Sequence, residues 1–171
     1  MSDPSATVTV RFARRDEAPA VWEMVRALSI YEKLEDRVNG SAERLAEHLF
    51  GPAPLVECLV AERAGELIGY ALFYPTYSSF RTQPMMWLED LFVKSEARGS
   101  GAGRALLARL SSIAIERGCW RLSWEVLDWN QPSIEFYRKA GAHPADSGWL
   151  QYGFDRETLE ALAQPSGPTP A

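Results

Sequence analysis

The stretch from Trp87 to Arg104 holds the residues best suited to chemistry. Glu89 and Asp90 interrupt an apolar run, and Arg98, Gly99, Ser100, Gly101, Ala102, Gly103 and Arg104 follow a short turn. Leu106, Leu107, Leu110, Ile113 and Ala114 then recur at helical spacing, so the glycines open a helix. The free N–H groups and positive dipole end of a helix N-terminus attract anions. Glycine, lacking a Cβ, lets a phosphate come close to the backbone. This pattern predicts that a diphosphate-bearing ligand binds next to a strand carrying two acids.

Three glycine motifs compete here. A P-loop ends in Gly-Lys-Ser/Thr, which Gly103-Arg104-Ala105 does not supply. A dinucleotide fingerprint places glycine where Arg104 stands and needs more βα units than the remaining chain allows. Arg98, Gly101 and Gly103 do form Arg-x-x-Gly-x-Gly, which resembles the coenzyme A signature of the GNAT N-acetyltransferase superfamily. The setting strengthens the likeness, with Glu89-Asp90 upstream and Asn130-Gln131-Pro132-Ser133 and Phe136-Tyr137 downstream.

Acetyl transfer from a thioester to an amine sets the remaining requirements. An alkyl amine with a pKa near 10 is about one part in a thousand neutral at pH 7, so freeing its lone pair costs roughly 4 kcal/mol without a base. Glu89 is the candidate base, directly or through water. Main-chain N–H groups at Leu91, Phe92 and Val93 are candidates to grip the thioester and its pantetheine arm. In a regular strand Trp87, Glu89, Leu91 and Val93 share one face and Leu88, Asp90, Phe92 and Lys94 the other. The two acids then reach one cleft only if a bulge intervenes, and solvated or salt-bridged carboxylates are the alternative.

Tyr137 is two helical turns beyond Asn130, on the same helix face. Beside a thioester its hydroxyl suits protonation of a departing thiolate; otherwise it is a core aromatic. Asn130, followed by Pro132, reads equally as a helix N-cap.

The elements that must position these residues are legible from pattern. Val8 to Phe12 alternates as a strand. Asp16 is expected to cap a helix from Glu17 to Glu32, and Ser41 opens a second helix ending near Phe50-Gly51-Pro52. Glu57–Glu62 and Leu67–Tyr74 form a hairpin around Ala64-Gly65, and Pro84–Val93 is the next strand. The helix after Gly103 stops near Gly118, and Arg121–Val126 reads as a strand. Gln131–Ala140 reads as a helix and Trp149–Phe154 as a last strand. The order β-α-α-β-β-β-α-β-α-β resembles the GNAT acyl-CoA N-acyltransferase fold, an α/β class with a mixed α+β sheet. Residues 7–163 are expected to form one domain, with flexible termini at 1–6 and 164–171.

With 171 residues, 46% hydrophobic and 24% charged, the chain reads as a soluble globular protein. A net charge of −5 disfavours nucleic acid, and no apolar run reaches the ~20 residues of a membrane span. No signal peptide is evident at the start, so a cytoplasmic location is expected. Cys58 and Cys119 read as reduced, and His48 and His143 lie too far apart for a metal site, so no metal is expected. No Gly-x-Ser-x-Gly nucleophile elbow is present.

The likeness narrows further. Leu88 to Val93, Trp129 to Ser133, Phe136 to Ala142, Gly148-Trp149 and Tyr31-Glu32 resemble the diamine and polyamine N-acetyltransferases, from about residue 8 to 163. That resemblance implies Tyr137 as the proton donor. It also implies an acidic amine pocket of Tyr31, Glu32, Glu89 and Asp90. Acetyl-CoA contacts would come from Leu91 to Val93, Arg98 to Arg104, Asn130, Ser133 and Tyr137. It implies a homodimer acting on a small cationic amine. Thr76-Tyr77 is followed by Ser78-Ser79, where polyamine-acting members often carry an acid, so the likeness leans to thialysine-type amines. A protein or peptide N-acetyltransferase and a non-catalytic acyl-CoA-binding module are the alternatives.

Overall fold

Strand pairing carries most of the architecture. The computed structural model describes residues 7–144 and 152–163. Strand β1 (Thr9–Phe12) is followed by helices α1 (Ala18–Glu32) and α2 (Ala42–Phe50). Strands β2 (Glu57–Arg63), β3 (Glu66–Ser78) and β4 (Gln83–Val93) come next, then α3 (Ala102–Glu116), β5 (Leu122–Ser123), α4 (Gln131–Lys139) and α5 (Arg156–Ala163). The five strands form one sheet in sequential order. β1 to β4 pair antiparallel, and α3 crosses over so that β5 joins β4 in parallel, giving the expected mixed sheet.

Each face of the sheet is sealed by helices. Val21 and Met24 of α1 and Leu49 of α2 pack with Cys58, Val60, Tyr70 and Phe92 on one face. Leu106, Leu110 and Ile113 of α3 pack with Leu59, Phe73, Met86 and Leu88 on the other. The chain divides into two compact units, Met1–Ser133 and Ile134–Ala171. The first holds the sheet with α1 to α3; the second holds most of α4 and all of α5.

Local chemistry explains the boundaries. Ala64 and Gly65 both have positive φ, 52° and 79°, as a two-residue hairpin loop requires. Ser41 caps α2 by accepting the Arg44 N–H at 3.3 Å. At α1 the expected cap is replaced. Residues Arg15–Glu17 form a 3-10 turn, and Glu17 turns inward. Its carboxylate accepts the Arg14 N–H at 2.8 Å and the Arg11 guanidinium at 2.6 and 2.9 Å, which also binds Glu62 on β2. The Arg11 guanidinium holds Glu17 below the usual carboxylate range. Asp16 stays outside, near Arg14. Gly69 lies so close to β4 that a Cβ there would sit 2.6 Å from the Phe92 carbonyl oxygen.

Two strand expectations need correction. The pairing after α3 spans only Leu122–Ser123 rather than Arg121–Val126, because β5 meets β4 only at Met86 and Trp87. Tyr152–Phe154 lies outside any strand, and Asp155 instead starts α5 by accepting the Thr158 N–H at 2.8 Å. The rest of that expected strand, the Gly148-Trp149 motif and both expected flexible termini fall outside the described residues.

Candidate active site

A bulge in β4 sets the site. Leu72 pairs with Asp90 and Phe73 with Leu88, so Glu89 is the extra residue between them. Before it, Met86 and Leu88 point to the α3 face; after it, Leu91 and Val93 do. The regular alternation expected for Trp87 to Lys94 is therefore broken: Glu89 stays with Trp87 as expected, and the face assignment is corrected from Asp90 onward. Asp90 shares the α1 face with Leu72, Tyr70 and Phe92. Glu89 accepts hydrogen bonds from Tyr74 Oη at 3.2 Å and Trp87 Nε1 at 3.1 Å. Tyr74 and Trp87 are a cross-strand pair two positions along from Leu72 on β3, on that same face. Both acids thus belong to one side of the sheet.

The acids differ in environment. Glu89 is exposed, with both donors on Oε2, so Oε1 is the oxygen available to an ammonium. Asp90 is half-buried and accepts the hydroxyl of fully buried Tyr70 at 3.0 Å. Burial, with the Glu89 and Glu32 carboxylates nearby, pushes Asp90 up to about 6 despite the Tyr70 bond. Glu32, half-buried at the end of α1, is raised by burial. The α1 end thus adds a third acid to the field around Asp90.

This arrangement has a pH consequence. Asp90 holds its proton more tightly folded than unfolded, so its contribution to stability falls as pH rises from about 4 to about 6. Against Asp90→Asn, which keeps an acceptor for Tyr70, the wild type should lose melting temperature across that window. A bound cationic amine should reduce the loss, since it favours the ionised acid. Parallel melting curves for the two proteins would show that Asp90 titrates normally.

Among the described residues β4 pairs with β5 no further than Trp87, so β5 does not use the main-chain groups of Leu88 to Val93 on that side. The chain then passes a 3-10 turn, Ser95–Ala97, whose buried Ala97 packs on the α3 side of the core. Arg98 follows, its Nε reaching the Val93 carbonyl at 3.4 Å. Gly99 and Gly101 have φ of 80° and 85°, a region that disfavours other residues. A Cβ at either would meet nothing within 4 Å, so the loop faces open space. Gly101 caps α3 and its carbonyl accepts the Ala105 N–H at 2.9 Å. Ser100 Oγ accepts from Ala102 N–H at 3.4 Å. The N–H groups of Gly103 and Arg104 lie in the same first turn, where no intrahelical acceptor exists. A glycine cradle at the start of a fifteen-residue helix fits a diphosphate.

Asn130 is buried and works as the cap of α4: its Oδ1 accepts the Ser133 N–H at 3.3 Å. The same oxygen accepts Tyr31 Oη at 3.0 Å. Arg98 lies over the Tyr31 ring at 4.6 Å. Tyr31, expected at the amine, is thus brought to Arg98 and Asn130. Tyr137 stands in the second unit, half-buried, its ring edge-on to Phe136 at 5.1 Å.

Tyr70, Tyr74 and Trp87, the donors to the two acids, were missed by sequence reading. The signal for Tyr70 and Tyr74 is β3 parity, and for Trp87 its i, i+2 spacing to Glu89 on β4; the β3 signal becomes usable only once the Glu89 bulge is known.

The chain matches the Acetyltransferase (GNAT) family over residues 21–142. It is 36% identical over 168 residues to the thialysine N-epsilon-acetyltransferase of Sus scrofa, covering 92% of this chain and 98% of that protein. It is 35% identical over 163 residues to spermidine/spermine N(1)-acetyltransferase-like protein 1 of Homo sapiens, covering 90% of this chain and 23% of that protein. Among solved structures, an integron cassette protein from the mobile metagenome of V. cholerae aligns with a TM-score of 0.74 at 26% identity, over 92% of this chain and 98% of that one. A ribosomal-protein-alanine N-acetyltransferase from Brucella melitensis shares the fold, with a TM-score of 0.69 at 20% identity, over 87% and 99% of the two chains. The chain belongs to the GNAT acetyltransferase family. It is an acetyltransferase enzyme, built on that family's mixed sheet.

Proposed function

We propose that this protein moves the acetyl group of acetyl-CoA to a primary amine of a small cationic substrate, a diamine, polyamine or thialysine-like amine. The observation that carries the reading is the β4 bulge, which puts Glu89 and Asp90 on one face, with Glu32 in the field of Asp90. Three carboxylates in one region suit an ammonium group and disfavour a neutral acceptor. The relatives support the same class: one is a thialysine N-epsilon-acetyltransferase, and another is named for spermidine/spermine N(1)-acetylation. Ser78-Ser79 adds no further acid at the end of β3, which favours the shorter, thialysine-type substrate over a long polycation.

Acetyl-CoA supplies the acetyl group as a thioester. Glu89 takes the ammonium proton, directly or through water, so that the amine nitrogen can attack. Main-chain N–H groups of Leu91 to Val93 orient the thioester carbonyl. Arg98 and the Gly99–Arg104 turn hold the diphosphate, with Asn130 and Ser133 alongside. Tyr137 gives its proton to the departing sulfur. Residues 7–163 act as one acetyltransferase domain, in a cytoplasmic homodimer. No helix among the described residues is long and apolar enough to cross a membrane.

Calorimetry with acetyl-CoA, NAD and ATP tests the donor half. Acetyl-CoA should bind in clear preference. Gly101→Val should weaken it by roughly 5- to 100-fold, because a β-branched residue at φ 85° strains the turn by about 1–3 kcal/mol. Tight nucleotide binding without coenzyme A binding would overturn the reading.

A further inference from the structure

Tyr31 is the penultimate residue of α1, next to Glu32, and the structure engages both of its chemical features. Its hydroxyl donates to Asn130 Oδ1 at 3.0 Å, and the Arg98 guanidinium lies over its ring, 4.6 Å from the centroid. Trp129, with a ring centroid 6.5 Å away, flanks it. We infer that Tyr31 is a positioning residue for the acetyl-CoA half of the site, holding Arg98 and Asn130 in register, rather than a contact for the amine.

Two pieces of chemistry support this. A guanidinium over a ring face is held by the ring's quadrupole and not by its N–H donors. The ring therefore places Arg98 without consuming its donors, which stay available to an anion. At Asn130 the two donors, Tyr31 Oη and Ser133 N–H, both take Oδ1. That fixes the amide orientation and leaves the Nδ2 hydrogens as the face offered to a ligand. Asn130 is 4% exposed, so losing one donor to its oxygen is felt at once. Two residues far apart in sequence, Arg98 and Asn130, are thereby set by one side chain on a third element. The same end of α1 carries Glu32 into the field of Asp90.

The inference rests on the proposed acetyl-CoA reading, and its test separates the two. Wild type, Tyr31→Phe and Tyr31→Leu are titrated with acetyl-CoA by calorimetry. Initial rates are then measured with thialysine as acceptor, and melting temperatures are recorded. Tyr31→Phe keeps the ring under Arg98 and loses only the bond to Asn130. The acetyl-CoA Kd should rise roughly 3- to 10-fold, with the thialysine KM unchanged. Tyr31→Leu should weaken acetyl-CoA further, and adding Arg98→Leu to it should cost less than Arg98→Leu does in the wild type. A raised thialysine KM with an unchanged acetyl-CoA Kd would overturn the inference and return Tyr31 to the amine. Unchanged values for both, or equal rises in both with a lowered melting temperature, would overturn it as well. Failure of the wild type to bind acetyl-CoA would instead sink the proposed function.

Discussion

Tyr137→Phe is expected to lower kcat by roughly 100- to 10,000-fold, the range for loss of one acid–base group, while acetyl-CoA affinity and melting temperature hold. The substitution keeps the ring, including its edge-on contact with Phe136 at 5.1 Å, and removes only the hydroxyl. Phenols as a class are close enough to thiols in acidity for a phenolic proton to pass to the sulfur as it leaves. The measurement is kcat across pH 6 to 10, where chemistry limits turnover. A near-normal kcat there would make Tyr137 a packing residue and assign the sulfur's proton to solvent.

Glu89→Gln is the second large effect. Glutamine keeps an oxygen for the Tyr74 and Trp87 donors, so the bulge should survive. What disappears is the charge and the ability to take a proton. If Glu89 is the base, kcat/KM for the amine should fall by roughly 100-fold or more, and the acidic limb of the pH–rate profile should move. If it only attracts the ammonium, KM should rise with kcat little changed. Unaltered kcat and KM would remove Glu89 from the site.

The sequence was most readable where pattern and backbone agree. Ser41 marks a cap through its own side-chain oxygen, Ala64-Gly65 and Gly101 mark a turn and a cap through their own positive φ, and each stands where expected. The bulge was not readable. Whether Glu89 is extra depends on how β3 registers with β4, and the strand Met85 to Val93 alternates acceptably in either register. The consequence was large, because one inserted residue decides whether Asp90 faces α1 or α3.

The α1 start shows a different failure. Asp16 and Glu17 are adjacent acids at a helix N-terminus, and it is Arg11, itself held by Glu62 on β2, together with Arg14 that selects Glu17 to turn inward. At the other end, Asp155 carries a legible cap signal for α5, but the aromatic run before it drew the reading toward a strand. The resemblance implied Tyr31 and Glu32 as amine contacts; the contacts of the Tyr31 hydroxyl and ring with Asn130 and Arg98, from two later segments, were not legible. Such convergence is a property of the packed sheet and leaves no mark on local spacing.

The most direct test of the central claim is an initial-rate assay with acetyl-CoA and a panel of acceptors, each product identified by mass. The panel holds thialysine, spermidine, a peptide with a free α-amine and a neutral alcohol. The account predicts N-acetylation of thialysine at a rate that rivals or exceeds that of spermidine, with the alcohol left unmodified. Exclusive acetylation of the peptide α-amine, equal activity on the alcohol, or acetyl-CoA binding with no transfer to any amine would contradict it.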